Sequence, residues 1–151
     1  MPLLSLLIVA VQFAEPLILP QGWSGKAIRG ELAWLEHSSG ATLLVWSPRP
    51  TEDINAFAYR AVERLASPLG FVKIGEPRHF SDSNQEWVEY QIRGNRLTER
   101  RRILYRAVRR DAGFVEIIYE NSEERFDVLV SEALSIAASL ESVRRKERVR
   151  Q

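Results

Sequence analysis

A chain of 151 residues with 45% hydrophobic and 27% charged content reads as one globular domain that buries roughly two thirds of its unfolded surface, not as a disordered chain. The absence of cysteine excludes disulfides, thiol nucleophiles, iron–sulfur ligation and a lipidated cysteine anchor. Net charge is only +1, yet it is segregated: residues 92–110 carry eight arginines against Glu99, residues 111–142 eight acids against Arg125, and residues 143–151 five bases against Glu147. Such blocks either neutralise each other or face a partner.

In chain order, the run "PLLSLLIVAVQFA" has the apolar character of a secretory signal core and offers small residues at Ala10 and Ala14, without the basic start of a signal. As a helix its 13 residues reach about 20 Å, short of a hydrocarbon core of about 30 Å. Three readings stay open: a signal whose start lies upstream, a clipped membrane anchor, or a buried first strand. The first is preferred, which divides the chain into a signal or anchor segment at 1–14, one domain at 15–143 and a basic tail at 144–151.

In "LPQGW", Pro20 cannot donate to a ladder and Gly22 can take a turn, so a strand ends there and Trp23 is free to cover a sheet edge or a core end. "ELAWLEHSSGATLLVW" places two apolar runs around His37-Ser38-Ser39-Gly40, a hairpin signal. Thr51 stands as the N-cap of a helix whose apolar positions Ile54, Phe57, Ala58, Ala61, Val62 and Leu65 keep the 3, 4 spacing of one face, with an end near Ser67-Pro68.

Strands follow around Phe71 to Ile74, at "EWVEYQI" and through the arginine-rich segment ending in "RILYRAV". The last is expected to turn at Asp111-Ala112-Gly113 into "FVEIIYE". A three-residue loop there sets Tyr105 opposite Tyr119 and Ala107 opposite Ile117, with Arg106 opposite Ile118 and Val108 opposite Glu116, so that Glu116 and Glu120 flank Arg106 diagonally. A second helix is capped by Asn121 and Ser122 and carries the stripe Phe126, Leu129, Val130, Ala133, Ile136, Ala137, Leu140. The terminal "RRKERVRQ" reads as frayed. Strands joined by tight hairpins, interrupted and followed by single helices, give an α+β fold: an antiparallel sheet flanked by two main helices, an α/β/α sandwich.

With an apolar strand before Pro20 to Trp23, then "ATLLVWSPRPTEDINAFAYRAVERL", the passage Tyr119 to Phe126 and the small-residue helix end "AASLESV", the chain resembles the PsbP-like superfamily. That group of α/β/α sandwiches includes photosystem II extrinsic proteins, the yeast Ran release factor, mycobacterial lipoproteins and secretion-effector chaperones. The resemblance runs from Phe13 to Val143. It implies a non-enzymatic accessory or binding protein, often outside the cytoplasm. The arginine block from Arg93 to Arg110 is heavier than the family's pattern, and no family ligand residue carries over to a position here.

The residues themselves name no chemistry. His37 and His79 are the two histidines, and zinc-ligand spacing is missing, so no metal or cofactor is expected. There is no nucleophile elbow, phosphate loop or dinucleotide fingerprint, and so no catalytic residue is assigned. Nucleic-acid binding through "RGNRLTERRRILYRAVRR" is disfavoured by near-neutrality and by strand alternation, which sends Arg101 and Arg109 to one face and Arg102 and Arg106 to the other. Trp34 and Trp46 flank one hairpin and could form an exposed aromatic patch.

The expectation is therefore an accessory subunit that docks on a larger, membrane-associated protein complex on the extracytoplasmic side. Its interface is Arg93, Arg96, Arg100, Arg101 and Arg102, around a connection holding only Glu99, together with the basic tail. The alternative for these arginines is that acids from 111–142 fold back over them. The alternatives for function are a secretion-type chaperone, cytoplasmic, that cradles an apolar client segment, and a small-ligand or nucleic-acid binder. Membrane contact would come through residues 1–14.

Overall fold

The computed structural model describes residues 8–9, 17–29, 32–50, 52–111 and 113–150, with backbone alone at 8, 9, 17, 27–29 and 143–150. The signal or anchor assignment to 1–14 thus lies, apart from Ile8–Val9, outside the described residues.

A small antiparallel pair comes first, β1 (Ile8–Val9) with β2 (Leu17–Ile18). The main sheet takes β3 (Trp23–Arg29), β4 (Leu32–His37), β5 (Thr42–Trp46), β6 (Gly70–Ile74), β7 (Arg78–Ser81), β8 (Gln85–Arg96), β9 (Glu99–Arg110) and β10 (Gly113–Ser122), with helices α1 (Ile54–Ala66) and α2 (Phe126–Arg150). Its order is β3-β4-β5-β10-β9-β8-β6, with β7 also on β8, and every pairing is antiparallel. This is the α+β architecture that the alternation of strand and helix signals requires.

The sheet buries both faces because its longest strands carry apolar residues on both. From β9, Leu104 and Val108 join Leu35, Leu43, Val45, Ile117 and Tyr119 beneath α2. Its other face sends Ile103, Tyr105 and Ala107 under α1, against Ile54, Ala58 and Val62. Successive side chains in a strand point to opposite faces, so β9 serves two cores at once. In α2 the expected stripe is buried at Phe126, Ala133, Ile136, Ala137 and Leu140, with Leu129 and Val130 partly covered.

Helix boundaries differ in detail from the reading of the sequence. The cap of α1 is Asp53, whose carboxylate accepts the Ala56 amide at 3.0 Å, while Thr51 lies outside the described residues. The helix closes at Ala66, two residues before Pro68, as expected. Asn121 and Ser122 end β10 instead of capping α2. The buried Asn121 amide donates to the Tyr119 hydroxyl at 3.0 Å and to the Arg125 carbonyl at 3.2 Å, tying strand end to helix start. The basic segment from Arg144 to Arg150 is part of α2, as its lack of glycine and proline allows.

The β9–β10 register is one residue away from the expected one. Gly113 joins the ladder opposite Arg110, leaving a two-residue turn, and Tyr105 faces Ile118, Arg106 faces Ile117, Ala107 faces Glu116 and Val108 faces Val115. A one-residue slip exchanges faces. The observed register puts Ile117 and Tyr119 beneath α2, where Tyr119 packs on Phe126 at 5.0 Å between ring centroids. It also removes Glu116 and Glu120 from Arg106, which pairs with Glu89 instead.

Trp23 explains the abrupt stop before it. Its amide donates to the Pro20 carbonyl at 3.2 Å, closing a turn in which Gly22 has φ 91°. The indole then packs into the α2-side core from the edge strand, donates to Glu132 at 3.0 Å and meets the His37 ring edge-on at 5.2 Å. A side chain on Gly22 would strike that ring, its Cβ lying 2.4 Å from His37 Nε2.

Candidate functional site

The five arginines expected at an interface lie in two strands, on either side of a tight turn. Arg93 and Arg96 lie within β8 and the other three within β9, and the ladder runs to Arg96 opposite Glu99, so that Leu97 and Thr98 alone make the turn.

Acids from β10, α2 and the turn between them answer four of them. Arg96 grips Glu120 through two bonds of 2.9 and 2.7 Å, and Arg101 reaches the same carboxylate at 3.0 Å and Glu99 at 3.3 Å. Glu120 and Arg101 are 9% and 8% exposed, which makes this a buried ionic cluster. Burial opposes the charge on Glu120, but the hydrogen bonds and charges of Arg96 and Arg101 outweigh it and hold the carboxyl below its usual range. Arg93 lies 3.3 Å from Glu123 and Arg102 3.5 Å from Asp127. Arg102 also bonds Gln91 and covers the Phe126 ring at 4.2 Å. The acids of 111–142 do fold back over this region, and these four arginines are ion-paired within the chain.

Arg100 is different: exposed, and without an ion pair among the described residues. It borders an open cleft of about 590 Å³ shared with Arg93, Asn95, Phe71 and Glu123. Two residues the sequence does not single out stand at this end of the sheet. Phe71 is 94% exposed and Leu97 99% exposed, and both hold positive φ, 49° and 56°. A left-handed bulky residue costs roughly 1–2 kcal/mol, and neither recovers that by burial. Sequence offers no signal for them, since "RLTE" contains no glycine or asparagine to mark a left-handed turn.

Elsewhere, Trp34 is exposed on β4 opposite Leu44, on the same face as Trp46, whose indole donates to the buried carboxylate of Glu116. Glu116 also accepts the Tyr105 hydroxyl at 2.6 Å. Burial pushes that phenol far above its usual range, with the Glu116 charge adding to it. His37 bonds Ser39 Oγ at 2.7 Å, and His79 lies exposed on β7. Among the described residues no three acidic or imidazole side chains gather where they could hold a metal ion, and no helix is long and apolar enough to cross a membrane.

No family model and no curated protein sequence matches the chain. Solved structures do. The solution structure of cyanobacterial PsbP (CyanoP) from Synechocystis superposes with a TM-score of 0.52 at 15% identity, covering 82% of this chain and 84% of that one. The chain has a PsbP-like fold. A crystal structure of a Pseudomonas aeruginosa protein of unknown function, a candidate regulator, is similar to the same extent, with a TM-score of 0.52, 8% identity and coverage of 83% and 89%. A PsbP-like fold is thus shared at identities where side chains are almost wholly replaced, so it carries the arrangement of sheet and helices but no residue's role.

Proposed function

We propose that this chain is a non-enzymatic accessory or binding subunit that docks on a larger, membrane-associated protein complex outside the cytoplasm, through the sheet end at Phe71, Leu97, Arg93 and Arg100. The observation that carries the reading is the pair of almost fully exposed apolar side chains at positive φ beside an arginine with no ion pair among the described residues. Strained backbone persists where function maintains it. Apolar anchors next to guanidinium groups suit a protein partner, since arginine and aromatic residues dominate interface energetics and the guanidinium forks onto carboxylates. Arg102 stands beside Arg93 on the same face, while Arg96 and Arg101 hold Glu120 on the other. The PsbP-like fold agrees with an accessory role.

The test uses the tagged chain in its native host, followed by sedimentation of gently solubilised membranes at low and high salt. The chain is expected to travel in a particle far heavier than 17.3 kDa and to leave it as salt rises. Arg100→Glu with Phe71→Ser should release it several-fold at unchanged thermal stability. Migration as a free monomer at low salt would refute the proposal.

One observation favours the chaperone reading: Trp34, Leu44 and Trp46 share the sheet face on which α1 lies over β8 and β9 instead. An apolar client segment would lie there, and Trp34→Asp would then abolish client binding while Arg100→Glu would not.

A further inference from the structure

The sheet ends in β6, all five of whose residues are exposed and whose one ladder partner among the described residues is β8. Its hydrogen-bonding phase can be read from its neighbour. The Gly75 amide donates to the Gln91 carbonyl at 2.9 Å, and pairs in an antiparallel ladder alternate between bonded and non-bonded. Ile74 opposite Ile92 is therefore a non-bonded pair, and the Ile74 N–H and C=O point away from β8 into open space.

The side chains carry a second pattern. Lys73, Arg93 and Arg102 are successive cross-strand partners, a row of three cations over β6, β8 and β9. Asp127 answers Arg102 and Glu123 answers Arg93, whereas Lys73 makes no ion pair among the described residues. On the opposite face, Ile74 extends the apolar row that begins at the fully buried Ile92. The edge is cationic on one face and apolar on the other.

We propose that β6 receives, by strand addition, a short extended segment of the partner protein in which acidic and apolar residues alternate. The acids would continue the cation row at Lys73 and the apolar residues would cover Ile74, while the backbone bonds the outward groups of Ile74. This rests on the reading of the chain as a docking subunit and adds the chemistry of its partner. A second copy fits poorly, because pairing β6 with itself sets Lys73 near its own equivalent. The irregular register between Gly70 and Lys73, and Pro77 beyond the strand, keep the edge short, which discourages indiscriminate pairing and limits the added strand to a few residues.

The experiment titrates isotope-labelled protein with a blocked peptide alternating valine and glutamate, against one alternating valine and lysine, reading amide shifts. Saturating shifts confined to residues 70–75 and the facing part of β8 are expected with the glutamate peptide. Ile74→Pro removes the outward amide without touching the β8 ladder and should weaken binding at least about tenfold, while Ile74→Val should bind as the parent does. Should the proline variant lose its native spectrum, Lys73→Glu decides, by shifting preference to the lysine peptide. Absence of binding by the glutamate peptide, shifts mapping to Trp34 or elsewhere, undiminished binding by a folded Ile74→Pro, unchanged preference in Lys73→Glu, or a β6-mediated homodimer would overturn strand addition. If the peptide fails while Arg100→Glu still releases the chain from its native particle, strand addition falls and the docking reading stands.

Discussion

Replacing Glu120 with glutamine keeps the shape of the side chain and removes its charge from between Arg96 and Arg101. The two arginines are not equally affected. Arg96 has a side chain 43% exposed and regains water, but that of Arg101 is 10% exposed and keeps, among the described residues, Glu99 alone as an ionic partner, itself 60% exposed. Stranding one partner of a buried pair costs about 3–5 kcal/mol, and since glutamine still accepts one bond, about 3 kcal/mol is expected here. At 2–4 °C per kcal/mol for a domain of this size, that is a fall of about 6–12 °C in Tm at pH 7. The pH dependence has a definite sign. A carboxyl held below its unfolded value stabilises fully above that value, near 4.3, and loses its contribution as pH falls through the folded value. The gap between parent and Glu120→Gln should therefore be widest at neutral pH and narrow below about pH 4. Calorimetry across this range, with urea melts at its two ends, measures both. A difference under about 1 kcal/mol at pH 7, or one that does not shrink in acid, would refute the view that Glu120 is the hub of the cluster.

Leu97→Asn should raise stability by about 0.5–1 kcal/mol, because asparagine tolerates the left-handed turn and no packing is lost, and a lower Tm would contradict this. Gly22→Ala is expected to lose about 2 kcal/mol or more, since positive φ and the His37 ring both oppose a Cβ, and a neutral effect in urea melts would refute the close approach. Tyr105→Phe leaves Glu116 with the Trp46 indole and should cost about 1–2 kcal/mol in the same assay.

The residues that were legible in the sequence are those whose environment is local. Alternation in "EWVEYQI" and the 3, 4 spacing from Phe126 to Leu140 report burial directly, because each stripe faces a core. The arginines could be counted but not placed: whether Arg101 is solvated or buried depends on Glu120, which reaches it across a ladder whose register Gly113 sets. One residue of slip in that turn moved both acids off Arg106, Glu120 to Arg96 and Arg101 and Glu116 to Tyr105 and Trp46. Phe71 and Leu97 were hidden for the opposite reason, since their exposure runs against their residue type. β3 and β7 were hidden because "WSGKAIR" and "RHFS" lack a clear alternation of apolar and polar residues.

The neighbouring strands β5 and β10 have a kinetic consequence. β8, β9 and β10 follow one another through tight turns and can zip up locally, as can β4 with β5. The seam between these two units brings Trp46 to Glu116 across 70 positions of chain, with α1, β6 and β7 in the intervening segment. Closing a loop of that length precedes any reward from the contacts it makes. The meander is thus expected to form early and the seam late, so that Val45→Ala should accelerate unfolding more than it slows folding, and Ile103→Ala the reverse. During synthesis, the sheet cannot close until the ribosome has released β10.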